Sequence, residues 1–373
     1  MSPFRRLPFA AFAAAVLALA ALTAAGCGSS DNSSTTSSSS TTASSGKAGK
    51  VAVLLPDSKS SVRWETQDRK YLGEAFKKAG VDATIVNAEG DPATQRSQAE
   101  QAITNGAKVL LLVDLDPGSG SAIIANAKKS GVKVIDYDRL TLGGGADYYV
   151  SFDNTKVGQL QGQGLVKCLK GKTKPVVAEL NGSPTDNNAT LFANGYNSVL
   201  NPLYKNGTYV KGPNQSVPDW DNQKALTIYE QMLQSTSNKI DGVLAANDGL
   251  ANSVISAQKA RKLAQIPVTG QDATAQGIQN ILSGDQCMTV YKAVRAEAAA
   301  ASALAIALAK GQTPTTTATT DNKGTKTPSV LLTPVAVTKD NINDTVIKDG
   351  FLTTKEICSG KYAQECKDAG ITS

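Results

Sequence analysis

The sequence predicts an α/β protein built from two lobes, each a parallel sheet flanked by helices. Three observations carry that reading. Short apolar runs alternate with helical stretches along most of the chain, the pattern of parallel strands joined by right-handed crossovers. Several of those runs end on charged or amide residues: Tyr137-Asp138-Arg139, Ala246-Asn247-Asp248, Gly270-Gln271-Asp272 and Tyr291-Lys292. Between the two series lies 134–154, a buried-strand pattern, a glycine-rich link and then Tyr148-Tyr149-Val150-Ser151-Phe152. This segment reads as the first crossover between the lobes, with Asn154 able to start the next helix.

In the first lobe, 50–55 reads as a strand ending at Pro56-Asp57. Residues 64–79 follow on a helical period, with Trp64, Tyr71, Leu72, Ala75, Phe76 and Ala79 on one face, and Gly80 stops them. Strands at 82–87, 108–113 and 132–137 alternate with helices from Asp91-Pro92 to Asn105 and over 119–130. In the second lobe, helices at 155–169, 187–200, 221–234, 250–263 and 275–282 alternate with strands at 175–180, 207–211, 240–245, 266–269 and 287–291. The alanine-rich stretch 293–309 reads as a packed helix returning to the first lobe. Arg295, Glu297 and its length argue against a membrane span. Residues 311–327 read as a polar loop, 329–337 as a last strand, and 340–373 as a tail.

The N-terminus has Arg5-Arg6, an apolar run from Phe9 to Leu22, and a small-residue zone, the layout of a secretory leader. Ala24-Ala25-Gly26-Cys27 resembles a bacterial lipobox, which implies cleavage before Cys27 and acylation of its thiol; an ordinary leader with an incidental cysteine is the alternative. The Ser/Thr-rich stretch to Lys47 reads as a tether, since it cannot build a core. The resulting division is a leader at 1–26, a linker at 27–47, a first lobe of 48–152 with 293–328, and a second lobe of 153–292 with 329–373.

Of the formal net charge of +6, two units lie in the leader arginines. That is too mild for a nucleic-acid partner. Four cysteines remain after Cys27, an even number that suggests disulfides in an exported chain. Cys358 and Cys366 are close enough to pair, which leaves Cys168 with Cys287; free buried thiols are the alternative. The chain has no histidine, which excludes a His-dependent triad and His-based metal sites. We expect no metal and no cofactor. Carboxylate chemistry stays open.

The residues at the strand ends suit a neutral polyol. Carboxylates accept from hydroxyls, guanidinium and ammonium groups donate to them, and amides do both. A sugar's C–H face packs on an aromatic ring, and the two tryptophans, Trp64 and Trp220, both stand at helix starts with polar flanks. Core packing is the competing role for either one. A lone Asp at such a position is most often a helix cap; five polar strand ends facing one cleft make a site.

Taken together, Arg63-Trp64, Tyr137-Asp138-Arg139, the run 149–154, Gly182-Ser183-Pro184-Thr185-Asp186-Asn187-Asn188-Ala189, Asp219-Trp220, Ala246-Asn247-Asp248, Gly270-Gln271-Asp272 and Met288-Thr289-Val290-Tyr291-Lys292 are similar to the periplasmic sugar-binding proteins of ABC importers, most of all their D-xylose-binding branch. The resemblance runs from about 50 to 310, more weakly to 351; Ser216 and Pro218 depart from the family's usual residues. It implies two Rossmann-like lobes joined by a three-segment hinge, closing on one monosaccharide. It implies ligand contacts from Arg63, Trp64, Asp138, Arg139, Asp186, Asn188, Trp220, Asn247, Asp272 and Lys292. Trp64 and Trp220 would sandwich the ring. Asp248 and Gln271, next to these, have a helix cap and a supporting partner as their simpler roles. The expected protein is a monomeric receptor, lipid-anchored through Cys27 on the outer face of the membrane, that delivers its sugar to ABC permease subunits. A sensor subunit for a signalling partner and a carboxylate-based glycoside-processing enzyme are the rival readings. A leader in place of a helix-turn-helix disfavours a transcriptional regulator.

Overall fold

The structure of the protein is a computed structural model that describes residues 48–371. The expected leader, the tether and Cys27 lie outside the described residues. The first sheet is parallel through β1 (Lys50–Leu55), β2 (Ala83–Asn87), β3 (Ala107–Leu112), β4 (Lys133–Tyr137) and β5 (Tyr148–Phe152). Its strands are apolar on both faces because α1 (Arg69–Ala79), α2 (Pro92–Thr104) and α3 (Pro117–Lys129) cover it. Leu54, Leu110 and Leu112 meet Ile123 and Ile124 on one face, while Val53, Val109 and Ile135 meet Leu72 and Phe76 on the other. The helices start where caps allow. Asp91 and Asp116 accept from backbone amides of the first turns of α2 and α3, with proline just inside each.

The second lobe runs through α4 (Asn154–Cys168), β6 (Val176–Asn181), α5 (Asn187–Lys205), β7 (Val210–Ser216), α6 (Asn222–Ser235), β8 (Gly242–Ala245), α7 (Asp248–Ala260), α8 (Ala275–Ser283) and β9 (Thr289–Tyr291). Strands β7, β6 and β8 form one parallel sheet. The chain then returns through α9 (Val294–Ala309), which packs on α1 and the first sheet. Strands β10 (Ala318–Asn322) and β11 (Thr325–Leu332) rejoin that sheet beside β5, and β12 (Val335–Val337) pairs with β9.

Several expectations are corrected. The polar stretch 311–327 contains β10 and the start of β11, an antiparallel hairpin turning at Lys323-Gly324; threonine favours strands despite its polarity. The strand expected at 329–337 is two strands, β11 in the first sheet and β12 in a two-stranded ladder with β9. The assignment of 329–373 to the second lobe therefore fails for Ser329–Leu332, which pair with Tyr149–Phe152. The switch falls at Thr333-Pro334, where proline has no N–H for a ladder. The tail touches both lobes: Gln67 donates to the Phe351 carbonyl, and Gln279 to the Ile357 carbonyl. The strand expected at 207–211 is centred later, on β7, and that at 266–269 is reduced to one bridge between Val268 and Val243. The helix expected from Trp64 opens with a wide π turn over Trp64–Asp68. Asp153, not Asn154, caps α4 by accepting from Lys156 N.

Candidate functional site

The carboxyl ends of both sheets face one gap. Loops after β1, β4, β6, β8 and β9, with the Pro218–Trp220 turn, surround a small cavity of about 30 Å³. All ten residues singled out in the sequence line it: Arg63, Trp64, Asp138, Arg139, Asp186, Asn188, Trp220, Asn247, Asp272 and Lys292. Ser60, Ser61, Phe192 and Gln271 complete the wall.

Asp138 is the electrostatic centre. Its carboxylate accepts from Arg63 Nη1 at 2.9 Å, Lys292 Nζ at 3.0 Å and Asn188 Nδ2 at 3.0 Å. Burial alone would raise its pKa, but Lys292 and Arg63, helped by Arg139, more than offset this and hold it below the usual carboxylate range. Its backbone is left-handed, φ 60°, and its carbonyl is fixed by Ser151 Oγ at 2.7 Å and Tyr149 OH at 3.2 Å. Asp219, Trp220 and Asp272 also have positive φ. Three of these, Asp138, Trp220 and Asp272, line the cavity, non-glycine residues in a sparsely populated region that mark backbone held to shape by its surroundings.

The two indoles are oriented by hydrogen bonds. Trp64 Nε1 donates to Ser60 Oγ at 3.1 Å, and Trp220 Nε1 to Asp186 Oδ2 at 3.0 Å. The guanidinium groups of Arg63 and Arg139 lie 4.6 and 5.7 Å from the Trp64 ring centre. Phe192 meets Trp220 edge-on at 6.4 Å. Arg139 is paired with Asp186 at 3.2 Å, so each of the three cavity cations has a carboxylate partner.

Some of these residues also serve the fold. Asp186 caps α5 through Asn188 N, and Asn247 caps α7 through Leu250 N. Asn247 Nδ2 also donates to the Ser60 carbonyl, and Ser61 Oγ donates to Asp272 at 2.9 Å. Both bonds cross from one lobe to the other, as do Arg139–Asp186 and Lys292–Asp138, so the structure is a closed form. Burial raises the pKa of Asp272, with Lys292 and Arg63 opposing. Asp248 is not in the cavity wall: it accepts from Thr274 N, Thr289 Oγ1 and Gln286 Nε2 and ties the loops together. Gln271 lines the cavity and donates to Asp272.

Sequence reasoning missed Ser60, Ser61 and Phe192. Phe192 stands four residues after Asn188, one helical turn along the same face of α5, and that spacing could have found it. Asp68 and Glu297, which hold Arg63 from behind, left no signal. Disulfides join Cys168 to Cys287 and Cys358 to Cys366. Among the described residues, no group of three or more His, Cys, Asp or Glu could hold a metal ion, and no helix is long and apolar enough to cross a membrane.

The model of the periplasmic binding protein domain family matches residues 51–313. The D-xylose-binding periplasmic protein of Haemophilus influenzae is 38% identical over 79% of this chain and 88% of its own. The chain is a periplasmic binding protein. Its counterpart of the same name in Escherichia coli is 37% identical to this binding protein over 83% of this chain and 93% of its own. Among solved structures, the carbohydrate transporter solute-binding protein of Chloroflexus aurantiacus, in complex with D-glucose, has a TM-score of 0.76 and 31% identity, covering 82% of this chain and 97% of the other. An ABC transporter solute-binding protein from Clostridium phytofermentans with bound β-D-glucose gives 0.77 and 32%, over 82% and 99%. Membership of this family makes the protein a binding protein, not an enzyme, and removes the glycoside-processing reading.

Proposed function

We propose that this binding protein captures a single uncharged aldopentose, D-xylose, outside the cytoplasm and hands it to an ABC permease. The observation that carries the reading is the cavity itself, closed between the lobes, walled by two indoles and lined by ion-paired groups. With every cavity cation already facing a carboxylate, a neutral ligand adds no uncompensated charge. Ring hydroxyls would bond to Asp138, Asp186, Asp272, Asn188 and Asn247, and to the free donors of Arg139 and Lys292, while Trp64 and Trp220 cover the C–H faces. The names of the two relatives at 37–38% identity favour xylose. The lipobox-like Cys27 supports lipid anchoring to the outer face of the membrane. Bridging both lobes, the sugar would stabilise the closed form, the state offered to the permease.

D-glucose is the second reading, favoured by the glucose complexes of the two structural relatives. A thermal-shift panel of xylose, ribose, arabinose, glucose and galactose separates them. At a hundredfold excess over Kd, a ligand adds about 2.7 kcal/mol, a Tm rise of roughly 4 °C for a chain of this size. The rise is expected at the lowest concentration with xylose. A response to hexoses alone would overturn the pentose assignment.

A further inference from the structure

Behind the cavity floor, α9 directs one carboxyl at the Arg63–Asp138 pair. The buried face around it is otherwise small and apolar, with Val294, Ala298 and Ala301. Glu297 is fully buried. Its Oε2 accepts from Arg63 Nη2, and its Oε1 has no partner among the described residues. Arg63 is divided among three carboxyls: Nε and Nη2 donate to Asp68 at 2.8 Å each, Nη1 to Asp138 at 2.9 Å, and Nη2 also to Glu297. Lys292 is the other cation bonded within this group, through Asp138.

The remaining titratable groups that face it are tyrosines and one more acid. Tyr137 OH donates to Asp68, and Tyr149 OH to the Asp138 carbonyl; burial raises both phenols, which stay neutral. From α1, Tyr71 is covered by Arg295. Across the cavity Asp272 is bonded to Ser61 and Gln271. Asp68, Asp138 and Glu297 therefore share two cations. A buried set with an excess carboxyl keeps a proton, and an unpartnered hydroxyl is less costly to bury than an unpartnered oxyanion. Oε1 of Glu297 is that unpartnered oxygen. Burial pushes Glu297 up to about 8; Arg63 opposes this most, then Asp138 adds to it.

We propose that Glu297 is a positioning residue for the ligand cavity: in its neutral form it steadies Arg63 without competing with Asp138, and on losing its proton it draws Arg63 toward α9 and weakens ligand binding. The inference rests on the sugar-binding reading for its ligand. It is tested by titrating D-xylose into the wild type and Glu297→Gln between pH 6 and pH 9.5. Wild-type affinity is expected to fall about fivefold between pH 7 and pH 9, toward the tenfold limit of a one-unit difference in proton affinity between bound and free states. Glu297→Gln should keep the neutral-pH affinity within about threefold and show a flat profile. A flat wild-type profile, or a variant that keeps the wild-type slope, overturns the proposal. A flat wild-type profile overturns the proposal even where the variant fails to fold.

A second readout needs no sugar. A proton held more tightly folded than unfolded favours the folded state at low pH. Its contribution is lost as the pH rises from the ordinary carboxyl range through about 8. The Tm of the ligand-free wild type should therefore fall relative to that of Glu297→Gln across this interval. A constant gap would overturn the protonation on which the proposal depends, whereas failure of every sugar to bind, with the gap changing as expected, would sink the sugar reading and not the protonation.

Discussion

At the scale of single residues, the cavity depends on how closely its parts approach. Gly182 illustrates this. A Cβ built there would overlap the six-membered ring of Trp220, so only glycine lets the loop after β6 lie flat against the indole. Gly182 has no positive φ, and alanine at this position would disturb the indole before the backbone. We expect Gly182→Ala to weaken xylose binding at least about tenfold, as Trp220 tilts out of the wall. Trp220→Ala should cost about 2 kcal/mol or more, the usual effect of truncating a buried aromatic anchor. Titration calorimetry checks both; a loss below roughly 0.5 kcal/mol for Trp220→Ala would remove its anchoring role. The polar strand ends were readable because Asp, Asn, Arg and Lys after an apolar run break its pattern. Ser60 and Ser61 were not, since serines after a strand look like any turn. Glu297 was hidden because nothing in an alanine-rich helix marks which face meets a buried arginine.

At the scale of elements, two covalent clips act on very different lengths of chain. Cys168–Cys287 ties the end of α4 to the approach to β9, across 119 residues, and Cys358–Cys366 closes only 8. By loop-closure entropy alone, the first restrains the unfolded chain by about 4–5 kcal/mol and the second by about 2–3. Replacing Cys168 and Cys287 together by serine should lower Tm more than replacing Cys358 and Cys366; the reverse order would show that the tail, packed on α8, matters more than chain entropy. The strand and helix order was legible from periodicity, because buried parallel strands are short and apolar and their helices are capped by Asp or Asn. The β10–β11 hairpin was not legible, since its threonine-rich edge lacks an apolar face. The switch of the last strand between sheets was also hidden: it is set by pairing with β5 and β9, far away in sequence.

At the scale of the whole molecule, the two lobes meet through polar contacts around the cavity. Ser61–Asp272, Asn247–Ser60, Arg139–Asp186 and Lys292–Asp138 all bridge the lobes and all border the cavity. Opening the lobes breaks the same set of bonds that a bound sugar would reinforce, which couples occupancy to closure. What the sequence could not supply was this coupling, because it depends on distances between loops from opposite sheets. The position of the sugar ring is therefore decisive. A crystal structure of the protein grown with D-xylose measures that directly. One xylose ring is predicted between the Trp64 and Trp220 indoles, with hydroxyls on Asp138, Asn247 and Asp272. An empty cavity beside a sugar bound elsewhere, or a ring that touches neither indole, would contradict it.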